Sequence, residues 1–330
     1  MTSALRHRPP ATKLKTCLLV AGSLALGMIL AEMAAQTYVG AVALKGKRFQ
    51  PDAELGWRPL PNLHLVRKNA DGKRYLVETG PHGIRGPDAF PADPAIRRLL
   101  ILGDSYGFGE GVDLDARFDR RMLRKNPRVA AVNVSVPGYG TDQQVIRAAP
   151  YIPRLRRGDG VLLVLFGNDF SDIARSRHGG RDKPRFSLTD GQLTRHRPDT
   201  GWFSGLRDRL YLGALLGRLL DYDPGYEARL KDSGRLMKAI IARLAGKVRA
   251  RGATLWIAHH GLDLFDFPFQ PTAIIRGLCQ SEAICLDLDP VLAGRSELFQ
   301  QDGHWNAAGH ALIGAHMEKK LRESLSSGRF

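Results

Sequence analysis

The chain has 330 residues, 43% of them hydrophobic and 25% charged, enough for one sizeable core with attachments. Those proportions exclude an intrinsically disordered chain and a polytopic membrane protein. Lys and Arg number 49 against 33 acidic residues, a net charge of +16 that favours anionic partners. The arginines are scattered, however, and without a basic stripe interleaved with aromatics no nucleic-acid partner is expected.

Residues 1–15 form a basic tail carrying Arg6, Arg8, Lys13 and Lys15. Residues 16–44 follow as an apolar segment whose first part, Thr16 to Ala31, has no charge. Its length suits a single membrane-spanning helix or a secretory signal. The best-placed cleavage point, after Ala35, puts Met33 where a small residue is needed, so an uncleaved anchor is the expectation. The basic tail then predicts an inner-membrane, single-pass protein with its bulk on the periplasmic side. Cys17 lies in this segment as a small hydrophobe.

Residues 45–95 are rich in Pro, Gly, Asn and charge, and read as a looped lead-in. The domain proper is expected over residues 96–330. Short apolar runs at 97–102, 129–134, 161–166, 254–258 and 283–288 have the character of strands buried on both faces of a parallel sheet. Helical patterns at 143–155 and 233–250 separate them. The fold class is therefore α/β, a doubly wound sheet of about five parallel strands, with ligands beyond the strands' carboxyl ends. A stretch at about 170–224 is too long for a simple loop and reads as an insertion over the site.

The first strand runs into Gly103-Asp104-Ser105-Tyr106-Gly107, which places a serine hydroxyl at the strand's carboxyl end. A helix-capping serine would look the same. Three further blocks follow in order: Asn133 to Thr141 (NVSVPGYGT) after the second strand, Gly167-Asn168-Asp169 after the third, and Asp302-Gly303-His304-Trp305-Asn306 near the C-terminus.

In those four blocks the sequence, over roughly Arg97 to Leu321, resembles the SGNH/GDSL hydrolase superfamily. The resemblance implies a flavodoxin-like sheet, an acyl ester substrate, Ser105 as nucleophile and His304 as the base that takes its proton. It also implies an oxyanion hole formed by the backbone N–H groups of Ser105 and Gly138 and the amide of Asn168. The chemistry fits those residue types: a serine hydroxyl needs a base, and the base an acid partner that fixes its tautomer. Convergent donors then stabilise the developing oxyanion. The acid is expected to be Asp302, two residues before His304 where the family pattern places it three before. A similar Asp-x-His-Trp arrangement occurs in relatives that O-acetylate polysaccharides, which raises transfer over hydrolysis. GDSYG also matches the elbow of α/β-hydrolases. There, however, the nucleophile follows several strands and the acid lies apart from the histidine.

Cys279 and Cys285 are six apart and read either as a disulfide, given an oxidising compartment, or as two buried thiols. No His/Cys cluster has ligand spacing, so neither metal nor cofactor is expected. His259 and His260 either contact substrate or, as expected, are hydrogen-bonded loop histidines; His310 and His316 read as surface residues of the last helix; Asp169 and Asp172 either orient Asn168 or cap the next helix, the cap being the expectation. Tyr106, Tyr139 and Trp305 either line an acyl or sugar pocket or pack against the loops. The expected function is ester hydrolysis or O-acyl transfer through a Ser105 acyl-enzyme, on cell-envelope polysaccharide or lipid. The alternatives are a non-catalytic envelope protein that binds glycan or scaffolds partners, and a cytosolic lipase whose leader is not a membrane signal.

Overall fold

A computed structural model describes residues 11–44, 48–179, 181–198 and 223–326. Most of the basic tail and the apolar part of the insertion, LYLGALLGRLL, lie outside them. The described residues fall into two units, residues 11–44 in one and residues 48–179, 181–198 and 223–326 in the other.

The first unit contributes helix α1 (Ala11–Leu44). Within it Lys15–Ala35 has a mean hydropathy of 2.0 over 21 residues, a length of about 31 Å at 1.5 Å per residue, which matches a bilayer's hydrocarbon core. Leu18, Leu19, Leu24 and Leu30 point outward from it. One N-terminal helix is thus long and apolar enough to cross a membrane.

The second unit begins with two antiparallel hairpins where the composition predicts only loops: β1 (Phe49–Asp52) with β2 (Gly56–Pro59), and β3 (His64–Lys68) with β4 (Arg74–Glu78). Pro and Gly mark their turns and ends, while one face of each supplies buried residues, Trp57 from β2 and Tyr75 and Val77 from β4. These strands have little apolar length of their own and are stabilised by what they pack on. Tyr75 and Val77 cover Phe108, and Trp57 covers Tyr139.

The main sheet contains β5 (Arg97–Leu102), β6 (Val129–Asn133), β7 (Gly160–Phe166), β12 (Thr254–His260) and β13 (Ile284–Asp287). Its order is β6-β5-β7-β12-β13 with every pairing parallel. Counted along the chain this is 2-1-3-4-5, the flavodoxin-like order, whose switch point lies between the first and third strands. Alternate residues of β5 enter opposite cores: Leu100 and Leu102 join Val161, Leu163 and Ile257 on one face, Leu99 and Ile101 join Leu162, Val164 and Trp256 on the other. The first face is covered by α4 (Thr141–Ala148), α6 (Tyr226–Arg249) and α7 (Pro271–Ser281), the second by α3 (Phe118–Leu123) and α9 (Ala307–Ser326). Between them lie the short helices α2 (Ser105–Phe108), α5 (Asp169–Asp172) and α8 (Asp289–Leu292).

The helical pattern at 143–155 shortens to α4, because Pro150 directly follows its last cap, Ala149, and the pattern resumes only as a single 3₁₀ turn, Ile152–Arg154. The described part of the insertion holds α5 and two further hairpins, β8 (Arg177–His178) with β9 (Arg181–Asp182) and β10 (Arg185–Thr189) with β11 (Gln192–His196). Cys279 at the end of α7 and Cys285 in β13 are joined by a disulfide.

Candidate active site

Ser105 is the first residue of α2, directly beyond β5 at the switch point. The turn is held by Asp104, whose Oδ1 accepts the N–H of Tyr106 at 2.8 Å, and it ends at Gly109, left-handed at φ 75°. Buried Arg85 donates to the carbonyls of Phe108, Gly109 and Val112, locking the loop behind the serine. Glu110 ties the lead-in to the same loop, accepting from Arg48 and Arg67, each at 2.6 Å, and from the Tyr75 hydroxyl at 2.8 Å. Burial opposes that charge, yet the two guanidinium groups hold the Glu110 carboxyl below its usual range.

His304 Nε2 lies 2.8 Å from Ser105 Oγ, within reach for proton transfer across 199 residues of sequence. On the other side of the ring, Asp302 Oδ2 is 3.0 Å from His304 Nδ1. That approach is close but off the ring N–H direction, for Nδ1 makes no hydrogen bond, so the pair is electrostatic. The two-residue spacing works because Gly303 is left-handed at φ 86°. This folds Asp302 back so that its Oδ1 also accepts the His304 N–H at 3.2 Å. The loop is pinned from Gln300, whose N–H donates to the His304 carbonyl at 2.7 Å, and from the Tyr106 hydroxyl, which donates to the Gly303 carbonyl at 3.0 Å. Tyr106 thus couples the serine's helix directly to the histidine's loop.

Gly138 and Asn168 lie beyond the strands that flank β5. Gly138 has φ 78°, and a Cβ placed on it would be 2.8 Å from His178 Nε2. The amide of Asn168 is turned toward carboxylates: Nδ2 donates to Asp172 Oδ2 at 2.8 Å, while Oδ1 is buried without a partner. It also faces Asp104, whose Oδ2 makes no hydrogen bond. Asp169 accepts from Thr141 Oγ1 and Gln144 Nε2, both at 2.9 Å, and from the Phe166 N–H. The cap reading of these acids gives way, for Asp172, to the other one: Asp172 holds Asn168, while Asp169 fastens α5 to α4. Burial, reinforced by the neighbouring Asp172 charge, raises the Asp104 carboxyl to about 6. Burial and the Asp104 charge raise that of Asp169 well above the carboxylate range.

Other expectations shift as well. His259 and His260 end a strand and are buried, with His260 Nδ1 at 3.1 Å from Asp289 Oδ1. His310 is 1% exposed, not a surface residue: its ring lies parallel to Phe118 and its Nδ1 accepts the Phe118 N–H at 3.3 Å. Burial drives its pKa down to about 3. His316 is half-buried. Tyr106, Tyr139 and Trp305 are all buried and pack against the loops. Reading by motif missed His178, which lies over Gly138, stacks on Trp57 at 5.9 Å and has Nδ1 3.7 Å from Asp172 Oδ1. Nothing in the sequence signals it, since β8 and β2 meet only through the tertiary fold.

The 2-1-3-4-5 sheet carries the serine, glycine and asparagine blocks on three adjacent strands at the switch point, and the histidine block meets the first of them. The fold is SGNH-hydrolase-like. No protein-family model matches the chain, and no curated protein matches its sequence. Solved structures similar to it include TesA, at 18% identity over 68% of this chain and 98% of that one, TM-score 0.39. Another is AlinE4, an SGNH-hydrolase family esterase, at 15% over 71% and 99%, TM-score 0.38. A member of the lipolytic G-D-S-L family from Veillonella parvula matches at 12% over 68% and 97%, TM-score 0.39.

Proposed function

We propose that the chain is a serine esterase or O-acyltransferase that works through a Ser105 acyl-enzyme. The observation that carries this reading is the 2.8 Å contact between Ser105 Oγ and His304 Nε2. Ser105 Oγ attacks the acyl carbonyl carbon as its proton passes to His304 Nε2. The leaving alcohol takes that proton; a water or sugar hydroxyl then attacks the acyl carbon as its proton passes to His304, and His304 returns the proton to Ser105 Oγ as the acyl–serine bond breaks. The N–H groups of Ser105 and Gly138 stabilise the oxyanion, with Asn168 joining them once its amide turns from Asp172 toward the substrate. Water as acceptor makes an esterase, a sugar hydroxyl an acyltransferase.

We place the reaction at the periplasmic face of the inner membrane, on cell-envelope polysaccharide or lipid. The apolar helix behind a basic tail supports the anchor, and the Cys279–Cys285 disulfide supports an oxidising compartment. The test is p-nitrophenyl acetate hydrolysis by the full-length chain in nanodiscs, beside Ser105→Ala, with fluorophosphonate labelling. Equal turnover by the two chains overturns the assignment of Ser105. Adding polysaccharide and measuring its acetylation separates transfer from hydrolysis.

A further inference from the structure

Among the described residues of the second unit, three large hydrophobic side chains stand exposed: Val66, Leu264 and Phe265. The last two are adjacent, 70% and 38% exposed, on the turn that follows β12. This turn is built rather than loose. Gly261 is left-handed at φ 64°, its carbonyl accepts the Leu264 N–H at 3.3 Å, and the Asp263 carboxylate accepts the Thr272 hydroxyl at 2.9 Å.

The turn sits against the candidate active site. A Cβ on Gly167, the residue before Asn168, would lie 2.7 Å from the Phe265 ring, and one on Gly261 would lie 2.4 Å from the Phe166 ring and 2.8 Å from Leu264. The two glycines let apolar surfaces close up without an intervening side chain. From the catalytic pair outward the rings form an unbroken series. His304 is 5.1 Å from Tyr106, Tyr106 is 4.4 Å from Phe166, and Phe166 is 5.7 Å from Phe265. Its outer end is Leu264, open to water.

We propose that Phe265 and Leu264 form an apolar lip that binds the acyl chain of the substrate, favouring medium-length chains over acetyl. This rests on the acyl-enzyme reading at Ser105. The acyl carbonyl lies at Ser105 and its methylenes run along Phe166 to Phe265, removing from water two of the three side chains that this unit leaves exposed. Burying methylenes there supplies affinity that a two-carbon acyl group does not gain.

The test uses the full-length chain in nanodiscs, with p-nitrophenyl acetate and p-nitrophenyl octanoate, and the variants Phe265→Ser and Leu264→Ser. The octanoate-to-acetate ratio of kcat/KM is expected to fall about tenfold in Phe265→Ser, as when two methylenes lose apolar cover, and less in Leu264→Ser. Calorimetric titration of octanoate into Ser105→Ala, with and without Phe265→Ser and against empty nanodiscs, reads the lip without turnover. Weaker octanoate binding in the double variant upholds the lip even if hydrolysis proves independent of Ser105, which overturns only the nucleophile. Unchanged octanoate binding, or acetate and octanoate turnover falling in parallel, overturns the lip.

Discussion

Replacing Asp302 with alanine measures how much a solvent-facing acid contributes to the base it serves. Its carboxylate is 3.0 Å from His304 Nδ1, is 46% exposed and makes no aligned hydrogen bond to the ring. At that separation a unit charge on the imidazolium gains about 1.4 kcal/mol in a water-like dielectric, and several times more only if the pair were buried. The half-exposed position sets the expected loss in kcat at about tenfold to a hundredfold, far short of the roughly 10⁴-fold loss for the buried acid of a protease triad. KM should hold, because the loop keeps its backbone bonds between Gln300 and His304 and its tie to Tyr106. The assay is steady-state hydrolysis of p-nitrophenyl acetate beside His304→Ala. A loss matching that of His304→Ala, or one below twofold, refutes the electrostatic account of the pair.

Three other outcomes follow from the geometry. Gly138→Ala forces a Cβ against His178 at 2.8 Å and strains a backbone at φ 78°, costing about 1–2 kcal/mol. It should lower kcat at least tenfold, with partial recovery in Gly138→Ala/His178→Ala; unaltered kcat in the single variant refutes it. His310 protonates in the fold only near pH 3, whereas in the unfolded chain it does so at about 6.5. Its contribution is therefore complete above pH 6.5 and is lost as pH falls toward 3, amounting to about 2 kcal/mol between pH 7 and 5. Urea unfolding at those two pH values should show His310→Asn, which keeps an acceptor for Phe118, losing that much less than the parent chain, and equal losses refute it. Cys279→Ser should lower stability by about 2 kcal/mol, the entropy of a loop this short, and leave acetate hydrolysis unchanged. Reductant should destabilise the parent chain alike and the variant not at all.

The sheet was legible because each core strand is an uninterrupted apolar run with a turn signal behind it. β5 falls at residues 97–102 as its sequence dictates, and the serine block follows it without slack. The contact between Ser105 and His304 was expected from the resemblance, which pairs the serine block beyond β5 with a histidine block near the C-terminus, here on the loop before α9. What stayed hidden depends on partners distant in sequence. The lead-in hairpins have no apolar length of their own and are fixed by Phe108, Tyr139 and Glu110. His310 has the spacing of a surface helix position, and only the approach of Phe118 buries it. The reach of Asp302 depends on the sign of one dihedral angle, at Gly303, which residue spacing does not reveal. The turn of the Asn168 amide toward Asp172 is likewise a matter of side-chain torsion, invisible to any motif.

The hydroxyl of Tyr106 donates to a carbonyl 197 positions further along the chain, so the Ser105–His304 contact joins a segment made early in synthesis to one made late. A polypeptide that has reached only residue 300 contains the serine and its turn but neither the Gly303 carbonyl nor His304. The contact is therefore one that no N-terminal fragment short of residue 304 can make.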